Sequence, residues 1–237
     1  MQSDPVAFVL PTQRPRRSWL LAAMVVLIVL GAISLFAVPT VVSNNVNANE
    51  SAVIAILKNV SSAQAQIQGL AAIDVDRDGC GEYGFLAELA GRAQVRGRAR
   101  RVSPALLSTE FGLVRNRRVV RDGYVFQLFL PDRDGLGVTE DERGGDPEND
   151  GGVDPDRAER SWCCYAWPLH RGWTGRRAFF VSQTGNVLAT NGELRRYDGT
   201  APCAVDAAFA AATSGRLDGE QAVNAVGRDG NQWVIIS

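Results

Sequence analysis

Residues 18–70 constrain this chain more than any other stretch. No charged residue occurs from Ser18 to Asn49, and the leading part, SWLLAAMVVLIVLGAISLFAVP, is apolar almost throughout. About 20 such residues suffice for a helix to cross a hydrocarbon core. The continuation to Leu70 is amphipathic instead. Its apolar positions Val46, Val53, Leu57, Val60, Ala63, Ile67 and Leu70 recur at mostly three, four and seven residues, while Gln64, Gln66 and Gln68 fall largely elsewhere. That spacing makes one stripe on a helix, which must be buried against something.

The flanks suggest an orientation. Arg14, Arg16 and Arg17 precede the apolar run, and no acid or base follows it until Glu50. The positive-inside rule then places the N-terminus in the cytoplasm and the bulk of the chain outside. The resulting division is a cytoplasmic tail at 1–17, a transmembrane helix at 18–38, an exported amphipathic stem at 39–70 and an exported α+β domain at 71–237. The expected location is a bacterial inner membrane, single-pass, with the domain periplasmic or extracellular. The rival is a cleaved secretory signal, against which stands the length of the apolar run.

About 165 residues remain beyond the stem, enough for one domain with its own core. The net charge of −1 leaves no global field to steer nucleic acid. Nine arginines and one acid, Glu110, occupy residues 92–121. Aromatics are not interleaved there, so the run reads as a solvated connection rather than a nucleic-acid surface.

The segment AIDVDRDGCGEYGF sets Asp74, Asp76 and Asp78 on alternate positions, followed by Gly79 and then Glu82. Alternate carboxylates before a glycine let side chains converge on a cation while the backbone turns sharply, as in calcium loops. Phe85 stands where an EF-hand places its bidentate glutamate, so the expectation is a calcium loop of another kind. Its ligands would be Asp74, Asp76, Asp78 and Glu82, with the Cys80 carbonyl in addition. The plain alternative is a solvated Asp-Gly turn. Asp132, Asp134 and Glu140 offer a second, weaker cation cluster.

Strands are predicted at 123–131, 161–169, 177–183, 186–190 and 232–237, from aromatic and β-branched runs bounded by Gly and Pro. Thr184-Gly185 reads as a hairpin turn. The alanine-rich 204–213 predicts a short helix. Residues 131–160 predict a long exposed acidic loop. Cys163 and Cys164 would face opposite sides of a strand. In an exported domain each would find a disulfide partner, most simply Cys80 and Cys203, the alternative being buried thiols. No nucleophile elbow, phosphate loop, nucleotide fingerprint or His/Glu metalloprotease spacing occurs, which argues against an enzyme.

An apolar stem with Ala37-Val38-Pro39, followed by Asn49-Glu50-Ser51-Ala52, resembles the type IV pilin and pseudopilin superfamily. The later GEYGF at 81–85 and the run from WCCYAWP to FFVSQTGNVLAT are similar to that family's exported domain. The resemblance implies a long N-terminal helix packed on an antiparallel sheet, and packing of subunits through the stem. The family's leader glycine, the following Phe and the assembly glutamate correspond here to Arg17, Ser18 and Ala22. An uncleaved helix that does not polymerise alone is therefore expected.

The sequence thus leads to a non-catalytic, membrane-anchored, pilin-like subunit of structural or secretion-associated type. Its partners would be the lipid bilayer and other pilin-like subunits, not nucleic acid. The alternative is a membrane-tethered envelope module, stabilised by calcium and recognising an anionic polymer.

Overall fold

The computed structural model describes residues 17–141, 152–191, 197–210 and 215–237, with the side chains of residues 17, 18 and 32–41 excepted. It divides into two units, residues 1–43 and 44–237. Helix α1, Arg17–Gly69, runs 53 residues. Among its residues 19–31 every described side chain is exposed, including Trp19, Leu27 and Ile28.

The expected membrane-led α+β class needs correction. The described structure is an antiparallel sheet of eight strands with a few helices, and no described helix is long and apolar enough to cross a membrane. The described apolar side chains of α1 cover residues 19–31, about 20 Å at helical rise. From Ser43 onward the helix carries Asn44, Asn45, Asn47 and Asn49. Arg14 and Arg16, which set the expected orientation, lie outside the described residues.

In the second unit the sheet has the order β1-β2-β4-β5-β6-β8-β7. The strands are β1 (Val119–Arg121), β2 (Tyr124–Pro131), β3 (Gly137–Val138), β4 (Cys163–Pro168), β5 (Phe179–Ser182), β6 (Leu188–Thr190), β7 (Ala225–Val226) and β8 (Gln232–Ile235), with β3 paired to β2. Every residue of β2, β4, β5 and β6 is buried. A strand covered on one face alternates apolar and polar residues; one covered on both reads as a continuous apolar run, as YVFQLFLP does.

Two cores explain this. Tyr124, Phe126, Leu128 and Leu130 of β2 join Cys164, Ala166, Phe179 and Val181 on one face, where Val53, Leu57, Val60, Ala63 and Ile67 of α1 complete the cluster. Val125, Phe129, Cys163, Tyr165, Trp167 and Phe180 point the other way. They are covered by the chain from Tyr197 to Trp233, through Ala207, Ala208, Phe209 and Leu217. Cys163 and Cys164 therefore do face opposite sides.

The expected disulfides are absent: all four cysteines are thiols, with Cys80 exposed on a loop and Cys164 wholly buried in the helix-side core. The alanine-rich stretch, described as far as Ala210, is a turn and not a helix. Ala208 donates its N–H to the Tyr165 hydroxyl at 3.0 Å, and that hydroxyl donates to the Val205 carbonyl at 2.9 Å. Burying Phe209 against Phe180, with ring centroids 5.6 Å apart, outweighs alanine's helix propensity. Leu70, at the end of the predicted stripe, is exposed, and Gln64 is fully buried.

Candidate metal centre at the acidic loop

The loop after α1 begins where Gly81 packs onto the helix end. A Cβ on Gly81 would lie 1.9 Å from the Gln68 carbonyl oxygen, so only glycine permits the approach. Three residues on, Gly84 donates its N–H to Gln64 Oε1 at 2.9 Å and accepts from Gln64 Nε2 at 2.8 Å. The buried amide thus behaves as a strand neighbour for the loop. Both ends of the GEYGF segment are thereby fastened to α1.

This fastening splits the four predicted ligands. Glu82 turns inward and is fully buried. Its carboxylate accepts from the Val75 N–H at 2.7 Å and pairs with Arg96 Nη1 at 3.1 Å. Burial raises its pKa and the Arg96 guanidinium opposes that shift. Arg96 is buried too, with Nε 3.4 Å from Glu88 and its guanidinium over the Phe85 ring. Its Nη2 donates to the Tyr83 carbonyl. Glu88 also accepts from the backbone N–H groups of Phe85 and Arg96, each at 2.7 Å. One arginine of the supposedly solvated run is therefore the centre of the domain's buried ion network. Asp74 is nearly buried and pairs with Arg98 at 3.3 Å.

Asp76 and Asp78 point outward. Asp78 Oδ1 accepts from the Cys80 N–H at 2.7 Å, closing a local turn in which Arg77 and Gly79 have φ of 65° and 92°. Their partners come from helix α3, Pro155–Ala158, and the residue after it. Oxygens of Asp76, Asp78, Asp156 and Glu159 lie within 4.8 Å of one another. The helix is set there by its own cap: Asp154 accepts from the Arg157 N–H at 3.0 Å, with proline at the first turn. Tyr83 donates its N–H to the Ala158 carbonyl at 2.9 Å, and Gln68 Nε2 donates to the Glu159 carbonyl.

The gathered carboxylates repel one another. Burial first, then the charges of Asp78, Asp76 and Asp156, raise the Glu159 pKa above its ordinary value. Glu159 Oε1 is buried and has no hydrogen-bond partner among the described residues. Four carboxylates from two elements suit a hard, oxygen-seeking cation such as calcium better than a soft one. The nearby Cys80 thiol is held protonated chiefly by the Asp78 charge, then by Glu159, which disfavours thiolate ligation.

The sequence carried a signal for the two missed groups. In DPDRAER, Asp156 and Glu159 stand three apart, on one side of a helical turn. The weaker cluster does not assemble. Asp132 closes a turn by accepting from the N–H groups of Asp134 and Leu136, while Glu140 is buried and accepts from the Ala87 N–H at 2.9 Å. There it caps helix α2, Leu86–Leu89.

No family model, curated protein or solved structure matches this chain.

Proposed function

We propose that the chain is a non-catalytic structural subunit of a pilin-like assembly at the bacterial cell envelope, joined to other subunits through the apolar start of α1. The observation that carries the reading is the helical segment 19–31, whose described side chains are all exposed and almost all apolar. A contiguous exposed apolar surface of this kind marks an interaction site. Its occupants in this reading are the equivalent apolar helices of neighbouring subunits. The lower part of α1 supports it, because it is fastened to the sheet unit at several heights. Asn49 donates to the Thr174 carbonyl at 2.9 Å, and Glu50 accepts from the Arg176 N–H at 2.9 Å. Gln64 repeats the fastening further along.

Cysteines placed singly at Leu21, Met24 and Ile28 test this. Oxidative crosslinking in cells is expected to join the chain to other subunits from one side of the helix. Absence of crosslinks from all three positions would overturn the assembly reading.

Calcium is the second part of the proposal, favoured by the four converging carboxylates Asp76, Asp78, Asp156 and Glu159. In this role the ion is structural. It relieves the repulsion between the loop after α1 and the α3 segment, and ties the two together.

A further inference from the structure

In the surface segment 136–141 Glu140 alone is buried. Leu136 and Asp141 are exposed, and Gly137, Val138 and Thr139 are half-buried. The strand pairing ahead of it is short: β3 has two residues, with Val138 opposite Leu130 and Gly137 opposite Pro131. The Glu140 side chain turns inward to α2, where its Oε2 accepts the Ala87 N–H at 2.9 Å. Residues Leu86–Leu89 are all buried, so this one carboxyl fastens a surface segment to the core.

The groups that face Glu140 do not compensate a negative charge. Glu88 of α2 and Asp141, next in the chain, are acids, and the Cys164 thiol faces it from β4. Arg96, the buried cation beside Glu88, is already shared between Glu82 at 3.1 Å and Glu88 at 3.4 Å. No basic side chain pairs with Glu140 among the described residues. Three buried carboxyl groups thus stand against one guanidinium.

A carboxylate buried without a counter-ion is costly, and the neutral acid is the form that burial favours. Glu82 and Glu88 have Arg96; Glu140, without a cation of its own, is the group that keeps a proton. Burial pushes its pKa up to about 8, with the Ala87 N–H opposing and the Glu88 charge adding to the rise. We propose that Glu140 is a proton-operated latch. Protonated, it clasps residues 139–141 to α2; ionised, it moves into solvent and releases them while the sheet stays folded. Openings of this kind belong to segments with few buried contacts, as 136–141 has. In the released segment the carboxyl has its ordinary affinity for a proton. Each pH unit between about 4.5 and 8 therefore shifts the ratio of closed to open forms by up to tenfold, and the shift levels off above 8.

Amide hydrogen exchange of the full chain, followed by mass spectrometry as protection factors, tests the latch. In the wild type the amides of 86–89 and 139–141 should lose at least tenfold in protection between about pH 5.5 and 7.5. Throughout that range they should stay at least about tenfold less protected than the amides of β4 and β5, the mark of a local opening. Glu140→Gln keeps an uncharged acceptor for the Ala87 N–H, so its protection at 86–89 should not change with pH. A flat wild-type profile would overturn the latch, whether or not Glu140→Gln folds. Protection at 86–89 equal to that of β4 and β5 at every pH would mean that only the whole domain opens, and would overturn it as well. The same fall in Glu140→Gln as in the wild type would assign the proton to another group.

Discussion

Glu50 of α1 and Arg177, just before β5, face each other at 2.7 Å, and the same carboxylate accepts the backbone N–H groups of Arg176 and Arg177. A single acid on the helix thus holds the start of a central strand and the loop leading to it. Glu50 is nearly buried while Arg177 is partly open to solvent, which weakens the ion pair relative to a fully buried one.

Glu50→Gln should destabilise the domain by about 1–3 kcal/mol, the usual cost of weakening a charged acceptor that serves buried donors. Denaturant unfolding of Glu50→Gln, Arg177→Met and the double variant separates the pair from the backbone bonds. A double variant whose cost equals the sum of the two singles would show that Glu50 and Arg177 do not interact.

Leu57 lies at the middle of the α1 stripe and is fully buried in the helix-side core. Leu57→Ala should cost about 2–5 kcal/mol, from lost burial and the cavity left behind. Leu70→Ala, at the exposed end of the same heptad pattern, should cost less than about 0.5 kcal/mol. Similar costs for the two would contradict the packing.

Calcium should raise the melting temperature in proportion to the logarithm of its concentration, with a stabilisation of about 2.7 kcal/mol at a hundredfold excess over Kd. Asp156→Asn and Asp76→Asn should abolish the response. Asp74→Asn should keep it, because Asp74 serves Arg98 instead. A response that survives Asp156→Asn but is lost in Asp74→Asn would assign the ion to the linear motif.

Glu140 is wholly buried, and its pKa is pushed up to about 8, chiefly by burial, against an ordinary 4.5. The native state therefore keeps a proton that the unfolded chain releases. Its contribution is undiminished below about pH 4.5 and is lost as pH rises towards 8. Glu140→Gln should remove that fall, so that its stability relative to wild type increases across this window by up to about 1.4 kcal/mol per pH unit. Parallel stability curves for the two proteins between pH 5 and 8 would refute it.

Much of the scaffold was legible because it depends on short-range periodicity. The strands at 124–131, 163–168, 179–182, 188–190 and 232–235 fall within the predicted stretches. The α1 stripe is buried from Val46 to Ile67. The candidate site was only half legible. Asp76 and Asp78 were read from their spacing, but Asp156 and Glu159 lie some 80 residues further on. Nothing local shows that Tyr83 and Gln68 draw that helical turn onto the loop.

By itself the amino-acid order determined where helix and strand periods run, which residues of a strand share a face, and that Cys163 and Cys164 must diverge. These properties follow from backbone geometry at periods of 3.6 and 2, which each segment carries within itself. Only the tertiary structure decided the fate of the charges and of the second sheet face. It took Glu82 and Arg96 out of solvent as partners, left Asp76 and Asp78 to meet α3, and laid an alanine-rich segment over Tyr165 as a turn. Such outcomes depend on which distant surfaces bury one another, and a carboxylate has the same local signature whether it meets an arginine, a cation or water.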